Sequence, residues 1–263
     1  MALKQHSDAK LRFDQQVDNS LSYVLPFIEK TKQIQAGTNV LEVGTGEGGV
    51  LIPFINRGCY CVGVDLAPMR IDLANEYLGN EVAAGKAKFI CQNIFEVSFF
   101  ANYGGFFDVI ILKDVIEHVP EQEKFIPYLK TLLKPGGQIF FGFPPWYMPF
   151  GGHQQTAHVK WVSVLPYYHI LPRFLYKGIL KIAGEHPAII QDLLDIYDTR
   201  ISIERFERII KKSGLKVVNK QHYLINPIYK YKFGLTPRKQ WPPLTWIPYF
   251  RDFITTCVYY TVE

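Results

Sequence analysis

Cysteine is scarce, with four residues in a chain of 263. That is too few for a disulfide-stapled scaffold, and Cys59 and Cys61 sit inside an apolar, strand-like run. No run reaches the roughly 18 apolar residues that a membrane-spanning helix needs. The long uncharged stretch from Pro135 to Val159 is broken by Pro, Gly, Gln and His. The opening residues, Met1-Ala2-Leu3-Lys4-Gln5-His6, carry no apolar segment of a secretory signal. Internal repeats and low-complexity tracts are missing. Charged residues are held to 20% against 48% hydrophobic, which excludes disorder. These absences predict a soluble, cytoplasmic protein with reduced thiols.

What is present alternates. Apolar residues at Leu11, Val17, Leu21, Val24, Leu25 and Ile28 keep helical spacing across residues 8–33. Asn39–Val43 reads as a buried strand, followed by a glycine-rich turn and a helix to about Asn56. Cys59–Val64, Ala87–Cys91, Phe107–Leu112 and Gln138–Gly142 read as four more strands. Pro68 opens one intervening helix at its favoured first-turn position. Another spans Glu121–Leu133 and stops at Lys134-Pro135-Gly136-Gly137. Short apolar strands separated by helices require crossover connections, hence a mostly parallel sheet covered on both faces. Such sheets bind ligands at the carboxyl ends of their strands.

After Phe143 the rhythm breaks. Residues 144–200 are rich in Pro, His and aromatics, and a helical pattern resumes at Ser202–Lys212. Leu215–Val218 and Tyr223–Ile225 read as two late strands, making seven. The expected organisation is an N-terminal helical segment (1–36), a nucleoside-binding core (37–143) and a cap inserted after the fifth strand (144–200). A return to the sheet (201–233) and an aromatic tail (234–263) follow. Residues 201–240 hold ten Lys/Arg against Glu204 and Glu207, a local +8 that leaves −3 for the rest of a +5 chain. This basic segment allows peripheral contact with an anionic membrane surface. A solvated helix face with ordinary basic loops accounts for the same charge.

Gly44, Gly46 and Gly49 satisfy the spacing G-x-G-x-x-G directly after the first strand. Asp65 ends the second strand, where a carboxylate can accept both ribose hydroxyls of a nucleoside. A pyrophosphate needs the bare positive end of the following helix. Here Glu42 and Glu47 flank that position and would repel phosphate. A ligand carrying an ammonium and a sulfonium fits better, so S-adenosylmethionine is favoured over a nicotinamide dinucleotide.

With Leu41-Glu42-Val43-Gly44-Thr45-Gly46-Glu47-Gly48 in place, the chain resembles the class I S-adenosylmethionine-dependent methyltransferases, a Rossmann-like doubly wound α/β family. Val64-Asp65-Leu66, Gln92-Asn93-Ile94-Phe95, Asp108–Val119 and Leu133-Lys134-Pro135-Gly136-Gly137 extend the likeness over residues 40–143. The wording is nearest to ubiquinone-pathway and related small-molecule methyltransferases. The resemblance implies S-adenosylmethionine as cofactor and S-adenosylhomocysteine as product. It implies cofactor contacts from Glu42, Gly44, Thr45, Gly46, Asp65, Leu66, Asn93, Ile94 and the backbone carbonyl of Lys113. Asn93 stands where the family more often has Asp.

On the acceptor side, Asp114, Glu117 and His118 fall on one face of a helical turn. Some ubiquinone-pathway relatives hold a divalent ion with such a run, but the three groups can equally hydrogen-bond one another, and no metal is assigned. His118 and the loop residue His153 are the candidate general bases. The aromatic set Trp146, Tyr147, Phe150, Trp161, Tyr167, Tyr168, Phe174 and Tyr176 either lines an apolar acceptor pocket or forms the cap's own core. Phe143-Pro144-Pro145-Trp146 resembles the Pro-Pro motif of nucleic-acid amino-methyltransferases. Phe143 lacks the polar oxygen that motif needs, so no specific nucleic acid is expected. The expected activity is methyl transfer to a small molecule, apolar or lipid-linked. A nicotinamide-dependent oxidoreductase and a non-catalytic binding protein are the alternatives. Oligomeric state is not legible.

Overall fold

The computed structural model describes residues 8–263, and the Met1–His6 run lies outside the described residues. Among the described residues no helix is long and apolar enough to cross a membrane. Eight strands form one sheet: β1 (Asn39–Val43), β2 (Tyr60–Asp65), β3 (Ala87–Cys91), β4 (Phe107–Lys113), β5 (Leu133–Phe143), β6 (Val217–Ile225), β7 (Arg238–Lys239) and β8 (Cys257–Val262). Their order is β3-β2-β1-β4-β5-β8-β6-β7. The first five are parallel, whereas β8 is antiparallel to both β5 and β6, and β7 is antiparallel to β6.

The doubly wound α/β class expected from the sequence is therefore found, with a correction to the sheet. It is mixed and eight-stranded rather than seven-stranded. The two late strands are one, β6, because the polar stretch Asn219–Gln221 continues the pairing with β8. The seventh full strand is β8, drawn from residues expected to be a tail. Its six residues are all buried. The glycine turn after Lys134 lies within β5 as a break in register between the pairs Phe107–Leu133 and Val109–Gln138.

Side-chain alternation divides the core into two layers. Leu41, Val43, Ile110, Leu112 and Phe141 face the helices Gln122–Thr131 and Ile203–Lys212. Val40, Val109, Ile111 and Phe140 face the N-terminal helix and the helix Pro68–Tyr77. The N-terminal helix begins at Ala9, capped by the Asp8 side chain, and passes through a π turn at Ser20–Val24 before ending at Ile28. The helical spacing expected to residue 33 thus stops earlier. This helix packs directly on the glycine turn. A Cβ on Gly49 would lie 2.6 Å from the Phe13 carbonyl oxygen, so only glycine allows the approach.

Residues 144–200 carry the helices Lys160–Val164, Arg173–Ile182 and Pro187–Thr199 over a separate core of Trp146, Tyr168, Tyr176, Leu180, Leu193 and Tyr197. His169 anchors it. Its Nε2 lies 2.8 Å from the Trp146 carbonyl oxygen and its Nδ1 3.1 Å from Gln154 Nε2. That fixes a neutral ring, and burial pushes its pKa down to about 4. Trp146, Tyr168 and Tyr176 therefore form core, whereas Trp161 and Phe174 point outward.

In β8, Tyr259 is fully buried with its ring centroid 5.0 Å from Phe140, 5.6 Å from Phe27 and 5.0 Å from Tyr223. Replacing it opens a cavity between two strands and a helix. Tyr259→Ala is expected to lower the urea-unfolding free energy by about 3–5 kcal/mol. A loss below about 1 kcal/mol would mean that β8 is dispensable to the packed sheet.

Candidate active site

A cleft of about 600 Å³ opens at the carboxyl ends of β1 to β4. Gly44, Asp65, Leu66, Asn93, Ile94 and His118 line it, with Phe95, Val115 and Phe125 among its apolar walls. The volume suits a nucleoside-sized ligand. Gly44 has a positive φ of 68°, and a Cβ there would approach Val115 Cγ2 to 2.6 Å, so the turn accepts no larger residue. Asp65 stabilises the turn: Gly46 N–H donates to Oδ2 and Ala67 N–H to Oδ1, each at 2.9 Å. An ionised carboxylate has about four acceptor positions, so capacity remains for two hydroxyls. Asn93 Oδ1 accepts from Phe95 N–H at 3.0 Å, and Leu66 stands largely exposed above the cleft.

Glu42, Thr45 and Gly46 lie behind the wall, all buried. Thr45 donates to Glu42 Oε2 at 2.7 Å. Burial pushes the Glu42 carboxyl well above its usual range; the Thr45 hydrogen bond opposes this, and Asp65 and Glu47 add to it. A cation brought to this end of the cleft would restore the ionised form. Glu47 is different. Arg12, from the N-terminal helix, grips it with Nε 3.0 Å from each carboxylate oxygen and with a further contact from Nη2. The charge argument from the sequence therefore rests on Glu42 alone. Lys113 turns its ammonium away from the cleft into an ion pair with Asp114.

The chain after β4 forms the other wall. Asp114 has a left-handed φ of 56° and Ile116–His118 make a short 3-10 turn. Such strain is held where the surroundings over-determine it. Glu117 is buried, and among the described residues neither carboxylate oxygen has a hydrogen-bond partner. His118 Nε2 and His153 Nε2 each stand 3.9 Å from Glu117 Oε1, with the two rings 4.9 Å apart. The mutual hydrogen bonding considered for Asp114, Glu117 and His118 does not form. Burial and the neighbouring Asp114 push the Glu117 carboxyl well up. Burial, with His118 alongside, pushes His153 down to about 3 and keeps it neutral. The ligand atoms of Glu117, His118 and His153 lie within 4.8 Å of one another. One oxygen and two imidazole nitrogens fit a divalent cation.

Beyond this trio a smaller cavity of about 180 Å³ joins Asp114, Glu117 and His153 to Tyr229 and Lys232, between Met148, Phe150 and Phe233. Tyr229 and Lys232 escaped the sequence reading, because a basic, aromatic stretch carries no signal of what it faces. The Arg12–Glu47 pair, 35 residues apart, was equally silent.

Fold and cleft together define a Rossmann-like enzyme that binds a nucleoside cofactor at the strand ends. A family model described as a methyltransferase domain matches residues 13–187. The ubiquinone biosynthesis O-methyltransferase of Chromobacterium violaceum is 32% identical over 117 residues, covering 44% of this chain and 48% of the relative. That of Coxiella burnetii is 31% identical over 117 residues, covering 44% and 47%. The chain thus matches about half the length of these relatives. Among solved structures, a putative sarcosine dimethylglycine methyltransferase from Galdieria sulphuraria superposes with a TM-score of 0.60 at 14% identity, covering 93% of this chain and 84% of that one. Geranyl diphosphate C-methyltransferase from Streptomyces coelicolor gives 0.57 at 14%, covering 91% and 77%. These two share the fold. The chain belongs to the methyltransferase-domain family, the S-adenosylmethionine-dependent class that its motifs resemble.

The ion pair beneath the glycine turn is testable without any ligand. Arg12→Ala leaves the Glu47 charge buried and unpaired, and should cost about 3–5 kcal/mol in urea unfolding. Arg12→Met combined with Glu47→Gln should recover most of that loss; equal destabilisation in both would refute the pairing as its source.

Proposed function

We propose that this protein transfers the methyl group of S-adenosylmethionine to an oxygen of a small, largely apolar acceptor held beside Glu117. The observation that carries the reading is the buried Glu117 carboxyl, without a hydrogen-bond partner among the described residues, which lies between two imidazoles in the wall of the smaller cavity, with its neighbour His118 lining the cofactor cleft. The names of the curated relatives support oxygen as the methylated atom. Family membership removes the nicotinamide and non-catalytic alternatives.

The sulfonium of the cofactor supplies a methyl group already activated for displacement, so the protein's task is placement. Asp65 accepts the ribose hydroxyls, Asn93 and Ile94 meet the base, and Leu66 covers it. Gly44, Gly46 and Thr45 shape the turn against which the cofactor's amino-acid end lies. Glu42 and the Lys113 carbonyl receive its ammonium. On the acceptor side, Met148, Phe150 and Phe233 exclude water, and Tyr229 and Lys232 offer polar groups to the acceptor's oxygen. The half-buried, neutral His153 or the more exposed His118 takes the acceptor's hydroxyl proton at Nε2. In place of that role, Glu117, His118 and His153 would hold a divalent ion, which when bound occupies the imidazole nitrogens and makes a neighbouring hydroxyl more acidic.

Calorimetric titration with S-adenosylhomocysteine, run beside NADH, tests the cofactor; binding of the first alone is expected. Asp65→Ala should weaken it about 100-fold, the worth of two charge-assisted hydrogen bonds at about 1.5 kcal/mol each. Unchanged affinity in the folded variant would remove the ribose assignment. Titration of metal-stripped protein with Zn²⁺ or Mg²⁺ should give one saturable site, lost in Glu117→Gln and in His153→Ala. Equal metal binding in both variants would leave the two imidazoles with a proton-transfer role only.

A further inference from the structure

The outer surface of the cap carries apolar side chains that nothing covers. The helix Arg173–Ile182 turns Tyr176 and Leu180 into the cap core. At about 100° per residue, Phe174, Gly178 and Lys181 fall on the opposite side, with Ile182 and Lys177 flanking them. Phe174 is 73% exposed and Ile182 88%. A second protruding group comes from far along the chain, with Trp246 75% and Tyr249 69% exposed. The segment that bears the second group is joined to the cap at Phe253. Its carbonyl accepts from Tyr167 Oη at 3.1 Å, and its ring stacks on Tyr147 with centroids 5.4 Å apart.

The two segments that bear these groups carry charge of one sign. Residues 159–184 and 233–251 contain no Asp or Glu, yet hold Lys160, Arg173, Lys177, Lys181, Arg238, Lys239 and Arg251. Arg173 is engaged by Asp198, and Arg251 by Glu204 and Glu207. Among the described residues the other five make no ion pair. A short amphipathic helix with lysines beside outward Phe and Ile, next to protruding Trp and Tyr, is suited to lie in a lipid headgroup layer.

From this we infer that the cap helix Arg173–Ile182 and the 241–250 segment form one docking face for an anionic phospholipid surface. The face is distinct from the basic 201–240 stretch as a whole, because it needs apolar protrusions and unpaired lysines together. The docking element is part of the same cap that carries His153 to Glu117, so a membrane-dissolved acceptor would meet the pocket without crossing bulk water. The docking itself is independent of which acceptor is methylated.

Co-sedimentation of the full chain with large unilamellar vesicles decides the matter, with phosphatidylcholine alone compared with phosphatidylcholine plus phosphatidylglycerol. Binding to the anionic vesicles only is expected, with a blue shift in tryptophan emission. Each lysine near such a surface contributes roughly fivefold in affinity. Lys177→Ala with Lys181→Ala should therefore weaken binding about 25-fold. Phe174→Ser with Ile182→Ser should weaken it at least tenfold, a loss that lowering the salt does not restore. All variants should keep wild-type affinity for S-adenosylhomocysteine, which certifies their folding. The inference is overturned by absent binding, by equal binding to neutral vesicles, or by binding that both variants retain. It is also overturned if the wild type self-associates without lipid and Phe174→Ser with Ile182→Ser abolishes that, which would assign the face to a second copy. Failure of the wild type to bind S-adenosylhomocysteine would sink the proposed function and leave the vesicle result standing.

Discussion

β1 pairs in parallel with β2 on one side and β4 on the other, and this is the constraint on which the rest depends. Connections leaving the two neighbours run in opposite directions along the sheet, so a crevice opens where they part. The groups assigned to the cofactor, and the turn that carries Glu117 and His118, hang from strand ends at that crevice. Glu42 and Gly44 end β1, Asp65 ends β2, Asn93 follows β3 and the 114–118 turn follows β4. The cap begins where β5 ends. Shifting β1 by one residue would send Glu42 into the opposite layer and dismantle both walls together.

The charged groups around the crevice are resolved unequally. Glu47 has Arg12 and Asp114 has Lys113, whereas Glu42 has only a hydroxyl and Glu117 only two imidazoles at 3.9 Å, beyond hydrogen-bond reach. Burying an ionisable group without a partner is costly, and proteins keep such groups where something arrives to complete them. The two incompletely satisfied carboxyls sit at the cofactor end and the acceptor end of the site. Local stability has been given up at both places where a ligand is expected to bring charge.

Much of this was legible in the sequence, for a physical reason. Parallel strands buried on both faces are mostly apolar runs, and Asn39–Val43 and Phe107–Lys113 stand where their composition puts them. Glycines whose side of the turn is crowded by Val115 or by the Phe13 backbone announce themselves by being glycine. The run Cys257–Val262 is just as apolar, but nothing local says that it slots between β5 and β6, since a strand's neighbour is a long-range property. The same limit hid Arg12 beneath Glu47. Asp114, Glu117 and His118 stood out by spacing. Their failure to bond one another depends on a left-handed Asp114 and on a histidine delivered by the cap.

The position of β8 also bears on how the molecule is made. Five parallel strands are complete by Phe143, yet the free side of β5 finds its partner only when Cys257–Val262 has been synthesised. Until then a long, apolar edge with unpaired backbone groups faces the crowded space around the ribosome, inviting association with other strands. Closing the sheet waits for β8, and β6 joins the sheet only through it, since its other strand partner is the two-residue β7.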